Sequence, residues 1–86
     1  MEQLTPNLCH FFSAHFLQYR VARDITQEEM SAWLHITPRS YIELEHGRSL
    51  CSARTFIFYL YLLPQDEKLI LIDELDVLVN RHIADP

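Results

Sequence analysis

The sequence predicts an all-α domain, and three observations support this class. Apolar residues recur at spacings of three and four along most of the chain, which is the period of a helix face. The chain has one glycine and four prolines, and no Asn-Gly or Asp-Gly pair marks a β-hairpin. Hydrophobic residues make up 49% of the 86 residues, which is enough for one core. We therefore expect a single domain over residues 1–86.

The first predicted helix starts with Thr5 as its N-cap and Pro6 at its first helical position. Asp24 and Ile25 interrupt the apolar spacing, so the helix is expected to end at about Arg23. Its inward face is built from residues three and four apart, namely Leu8, Phe12, Phe16, Tyr19 and Arg23.

A capping box predicts the start of a second, short helix. Thr26 can accept from the backbone amide three residues on, and the side chain of Glu29 can reach back to the amide of Thr26. This helix is expected to run to about Leu34 and to bury Met30 and Leu34. His35 and Ile36 then form a tight turn.

Thr37 and Pro38 repeat the signal of a cap followed by proline and predict a third helix to about His46. Gly47 fits its C-terminal cap, where a positive φ favours glycine. The core side of this helix carries two residues, Tyr41 and Leu44.

Two more helices complete the prediction. A fourth helix follows Ser52 as cap and covers about 53–63, and its dense aromatic and aliphatic content indicates burial on most sides. Pro64 ends it, and a fifth helix covers about 65–83 with acidic residues in its first turn. The apolar residues of the fifth helix are Leu69, Ile70, Ile72, Leu75, Leu78, Val79 and Ile83.

The net charge and its distribution along the chain bear on whether the protein binds nucleic acid. The net charge is −5, which is unusual for a nucleic-acid-binding protein. Residues 20–54, however, contain five basic and five acidic side chains, whereas residues 64–86 contain six acidic and two basic ones. The excess negative charge therefore lies mostly outside the second and third helices.

Several classes of protein are not expected. Cys9 and Cys51 are read as reduced, partly buried thiols, and no zinc-binding spacing is present. No leader-like segment and no run of about 20 apolar residues occurs, so we expect a soluble, cytoplasmic protein without a membrane contact. There is no nucleophile elbow and no glycine-rich phosphate loop. We expect no enzymatic activity, catalytic residue, cofactor or metal.

The second and third helices carry a more specific pattern. It reads TQEEM over 26–30, LHIT over 34–37, and then Tyr41, Leu44, Glu45 and Gly47. In this order, over about residues 16–63, the chain resembles the phage repressor and Cro-like family, also called XRE-like. The resemblance implies a five-helix, lambda-repressor-like domain with a helix-turn-helix and an extra C-terminal helix. It further implies a transcriptional regulator that binds specific sequences of double-stranded DNA as a homodimer, with the third helix in the major groove.

The resemblance also assigns residues to DNA contacts. Gln27 matches a family glutamine that contacts phosphate, and Arg39 is the best candidate for pairing with guanine. Glu43 either accepts from the N4 amino group of cytosine or is a solvated charge that repels phosphate. The full set of expected DNA-contacting residues is Gln27, Thr37, Pro38, Arg39, Ser40, Ile42, Glu43 and Arg48.

Three features of the match concern structure rather than contact with DNA. Arg20 and Glu45 match a family ion pair that links the first and third helices. His35 replaces a turn glycine, so either it adopts a positive φ or the turn differs. Pro38 replaces a polar contact residue and offers no hydrogen-bond donor.

Two surfaces leave the function open. Trp33 either packs against the first or fifth helix or is an exposed anchor for a partner. The fifth helix either covers the core or pairs with its copy in a dimer. A candidate partner surface therefore contains Trp33, Leu75, Leu78 and Val79. The alternative function is a protein-interaction module on a helix-turn-helix scaffold, antitoxin-like or anti-repressor-like.

Overall fold

The computed structural model describes residues 3–84, and within that range the chain is all-helical without a strand. None of the helices in this range is both long and apolar enough to cross a membrane. The five helices are α1 (Leu4–Ala22), α2 (Gln27–Trp33), α3 (Pro38–Glu45), α4 (Ala53–Leu62) and α5 (Gln65–Ala84).

One core cluster holds the helices together, and α1 lies at its centre. Phe16 is fully buried and its ring meets Tyr59 of α4 edge-on, with the ring centroids 4.8 Å apart. Phe12 contacts Phe56 of α4 in the same manner at 5.3 Å. The helices α2 and α3 pack on each other, and α3 packs on α1. The buried apolar side chains are Phe12, Phe16, Tyr19, Met30, Leu34, Tyr41, Leu44, Tyr59, Leu63 and Leu71.

Three helices end in the same way, with a left-handed residue just after the C-cap. These residues are Asp24 after α1, His35 after α2 and Gly47 after α3, with φ values of 53°, 60° and 73°. In each case the amide of that residue and the next amide bond to carbonyls of the last helical turn, which is the Schellman arrangement. Gly47 was expected to adopt positive φ, and His35 takes the strained alternative that the sequence left open.

The N-terminal caps agree with the sequence at three of four positions. The hydroxyls of Thr26, Thr37 and Ser52 accept the backbone amides three residues on. The predicted cap at Thr5 is wrong, because α1 begins at Leu4 with Gln3 as its N-cap. Proline is tolerated throughout the first helical turn, where no intrahelical N–H bond is needed, so Pro6 does not mark the first helical residue.

Helices α4 and α5 are less covered than their composition predicts. Burial of α4 on most sides is confirmed in part: Tyr59 is buried, and Phe56, Phe58, Leu60 and Leu62 are half-buried against the core. One side of α4 is open to solvent, with Ile57 63% and Tyr61 81% exposed. On α5, Leu71 is the one residue buried in the described range, and the α5 residues exposed to solvent include Leu69, Ile70, Ile72, Val77 and Ile83.

Candidate nucleic-acid interface

Helix α3 is fixed against α1 by hydrogen bonds that converge on Glu45. Arg20 of α1 donates from Nε and Nη2 to the two carboxylate oxygens, at 2.7 and 3.0 Å. Gln27 donates from Nε2 at 3.0 Å, and the hydroxyl of Tyr41 donates to the same carboxylate. The ion pair predicted between Arg20 and Glu45 is therefore present, and it is part of a larger network.

Burial and hydrogen bonding act on this network in opposite directions. The Glu45 side chain is only 7% exposed, and burial alone would raise its pKa. The hydrogen bonds from Arg20, Tyr41 and Gln27 outweigh that effect, so the pKa of Glu45 lies below its ordinary value. Burial, helped by the bond to Glu45, raises the pKa of Tyr41 and keeps its hydroxyl a proton donor.

Gln27 has a structural role that the sequence did not indicate. One of the two N–H donors of its side-chain amide is occupied by Glu45. This bond fixes the first turn of α2 to α3, and it leaves one N–H for the phosphate contact that the sequence predicts.

The outer side of α3, with Arg39 and Glu43, faces away from the core side with Tyr41 and Glu45. Tyr41 and Leu44 point into the core, whereas Pro38 and Arg39 are exposed and Ile42 is half-buried. Of the other α3 residues expected to contact DNA, Ser40 is exposed and Glu43 is half-buried. No other side chain in residues 3–84 forms a hydrogen bond or ion pair with Arg39, so its guanidinium is available to a ligand.

Glu43 and Arg48 form an exposed ion pair that the sequence did not predict. Arg48 donates from Nε and Nη2 to Glu43 at 2.8 and 3.2 Å. The hydrogen bond from Arg48 is the main reason that the pKa of Glu43 lies below its ordinary value. The Schellman turn at Gly47 brings Arg48 back alongside α3. Two side chains of opposite charge, both predicted to contact DNA, are thus paired with each other.

Thr37 and Ser40 are engaged in the cap of α3. The Thr37 hydroxyl accepts the Ser40 amide at 3.1 Å and donates to the Ser40 hydroxyl at 3.0 Å. Both side chains remain exposed, and the Ser40 hydroxyl keeps its own proton for an outside acceptor.

The turn between α2 and α3 packs against α4. The imidazole of His35 stacks on Phe58 with ring centroids 4.2 Å apart, and Arg54 donates to the carbonyl of His35 at 3.3 Å. This stacking accompanies the strained backbone of His35. Because it joins residues distant in sequence, no local pattern indicated it.

The candidate partner surface divides between two sides of α5. Leu75 and Leu78 lie four and seven residues after the buried Leu71, share its side of the helix and are half-buried. Val79 lies on another side, in line with the exposed Ile72. Trp33 on α2 is 42% exposed and lies outside the packed core cluster.

Within residues 3–84, no three His, Cys, Asp or Glu side chains lie close enough together to hold a metal ion. Comparisons with protein-family models, with curated proteins and with solved structures gave no match to this chain.

Proposed function

We propose that the protein is a phage-repressor-like transcriptional regulator that binds DNA with α3 in the major groove. One observation carries the proposal. Arg39 on the outer side of α3 is exposed and Ile42 beside it is half-buried, while the core side of the helix is fixed by Tyr41 and the Glu45 network. A rigid helix with an exposed reading face is what base recognition in the major groove requires.

The proposal assigns different contacts to different residues. Arg39 pairs with the O6 and N7 acceptors of guanine, and the apolar Ile42 and Pro38 contact thymine methyl groups. Gln27 and Ser40 donate to phosphate and set the position of the helix on the duplex.

The affinity should be modest and depend on salt. The pairing of Arg48 with Glu43 removes one cation from the face toward DNA, and the protein has a net charge of −5. Each phosphate contact contributes about 0.9 to the slope of log affinity against log salt, so few contacts give a shallow slope and weak binding. A regulator of transcription works in the compartment that holds the DNA, so the proposed function goes with a cytoplasmic location.

We propose a dimer as the form that binds DNA. Leu69, Ile72, Val79 and Ile83 follow each other at spacings of three, seven and four, so they lie on one side of α5, which also carries Asp76, seven residues from both Leu69 and Ile83. Leu69 is 56% and Ile83 69% exposed. A two-fold pairing of this side would cover it and present two copies of α3 to a palindromic site.

A protein-interaction module is the second candidate. Trp33 is exposed by 42%, and tryptophan is frequent at the centre of protein interfaces. Pro38 provides no donor for DNA, and the acidic α5 would be repelled by phosphate.

Fluorescence anisotropy with a labelled, mixed-sequence duplex pool tests the first candidate. Binding at low salt that weakens near physiological salt supports it. For duplexes selected from this pool by their binding, Arg39→Ala should weaken the free energy of DNA binding by about 1–3 kcal/mol. It should also relax the preference for guanine. Arg81→Ala, which removes the same charge from α5, is the matched control. If the folded protein does not bind at low salt, the DNA proposal is wrong and the Trp33 surface is favoured.

A further inference from the structure

A groove of about 850 Å³ separates the start of α1 from the end of α5. This volume is within the range of sites for small molecules in proteins. The groove lies on the side of α5 facing α1, away from the side with Ile72. Its lining residues are Gln3, Asn7, His10, Phe11, Glu74, Val77, Leu78, Arg81 and His82.

The polar part of the groove contains one arginine and two histidines, which can donate hydrogen bonds to an anion. His10 comes from α1, and Arg81 and His82 come from the last turn of α5. No hydrogen bond or ion pair within residues 3–84 engages these three side chains. Glu74 is the acidic residue among the described lining residues, and one of its carboxylate oxygens lies 3.2 Å from Nε2 of His15. The first turn of α1 adds no acidic side chain.

The remaining walls are apolar. Phe11 is half-buried and Leu78 is half-buried, while Val77 is 55% exposed. A ligand in the groove would cover Val77 and remove this apolar surface from water, which favours binding. The helix C-terminus explains a cation at Arg81, but it does not explain the histidine that α1 contributes from the opposite wall.

We propose that this groove binds a small amphipathic carboxylate, with its carboxylate toward Arg81 and the two histidines and its apolar body against Phe11, Val77 and Leu78. An arginine guanidinium pairs with a carboxylate through two parallel hydrogen bonds. The ligand would contact α1 and α5 together, and so it would stabilise the packing of α5.

Titration of the full chain with octanoate, followed by two-dimensional amide NMR and calorimetry, tests this site without DNA. We expect saturable shifts of the amides of Asn7, His10 and Val77. Arg81→Gln should weaken octanoate binding roughly tenfold. Arg39→Gln, with the same loss of charge on α3, should change it less than about twofold, since exposed charges at a distance are screened. Circular dichroism verifies that each variant is folded.

Comparison ligands separate the two parts of the proposal. Octanol, which lacks the charge, should bind more weakly than octanoate, and Val77→Asp should weaken both. A short apolar peptide with a free C-terminus binding more tightly than octanoate would identify a peptide carboxylate as the ligand of the same site. Absence of saturable shifts in folded protein, equal affinity for octanol, or equal weakening by Arg39→Gln would overturn the proposal. None of these outcomes depends on DNA binding.

Discussion

Replacing Glu45 with alanine is expected to destabilise the protein more than any other loss of a single surface or half-buried charge. The substitution removes the acceptor of four hydrogen-bond contacts, from Arg20, Gln27 and Tyr41. Tyr41 retains the carbonyl of Phe16 at 3.4 Å as an alternative acceptor. Arg20 is left with a single backbone carbonyl, from Ile25, and only a fifth of its side chain is exposed.

The expected loss of stability follows from the hydrogen bonds that are lost and those that remain. Leaving a buried charge unpaired costs about 3–5 kcal/mol. Because water reaches part of Arg20 and Tyr41 keeps a partner, we expect about 3 kcal/mol for Glu45→Ala. A small domain has about 5–15 kcal/mol of total stability, so the variant should still fold. For a domain of this size the melting temperature should fall by about 12–24 °C.

Urea and thermal unfolding, followed by circular dichroism, measure this effect. Glu43→Ala is the matched control, because it removes the same side chain from the same helix but breaks the exposed pair with Arg48. Exposed pairs contribute little to stability. If Glu45→Ala is no less stable than Glu43→Ala, the Glu45 network does not hold α3 in place.

The pH dependence gives a second test of the same network. The pKa of Glu45 is lower in the folded protein than its ordinary value of 4.5. Its stabilisation is therefore complete above that value and is lost as the pH falls through the folded pKa. The stability difference between the wild type and Glu45→Gln should be constant near neutral pH and shrink in acid. A difference that persists unchanged until the wild type unfolds would refute this.

Three other predictions concern separate parts of the fold. His35 has φ of 60°, so His35→Gly should be about 1 kcal/mol more stable than His35→Ala in urea unfolding, since both lose the stacking and only glycine relieves the backbone. Ile72→Asp should shift the protein from dimer to monomer in analytical ultracentrifugation, and a monomeric wild type would rule out the dimer. Glu43→Gln should release Arg48, tighten DNA binding and steepen its salt slope by about 0.9. Asp66→Asn, with the same charge change on α5, should leave the slope unaltered.

Local signals in the sequence predicted the helix boundaries well. Thr26, Thr37 and Ser52 each cap an amide three residues on, and that contact is complete within one turn of chain. The left-handed residue at Asp24 had no such signal, because an aspartate there is compatible with several turns. The glycine at position 47 did predict a left-handed residue, because most other residues adopt a positive φ only at an energetic cost.

Packing and pairing were harder to predict. The composition of α4 indicated burial on most sides, but the number of apolar residues does not say how many neighbouring helices cover them, and Tyr61 is 81% exposed. The pair of Glu43 and Arg48 depends on the direction in which the chain leaves α3. The ion pair of Arg20 with Glu45, separated by 25 residues, was expected only from the resemblance to a family.

The two carboxylates of α3 separate stability from binding. Glu43 and Glu45 are two residues apart, and at 100° per residue they point to nearly opposite sides of the helix. One is covered and holds α1 and α2 through Arg20 and Gln27, and the other lies at the surface proposed to meet DNA. A substitution at Glu45 should therefore lower the free energy of unfolding. A substitution at Glu43 should instead change the charge of the surface that is proposed to contact DNA. If both substitutions changed DNA binding equally at temperatures where both proteins are folded, α3 would not have the orientation that the proposed function needs.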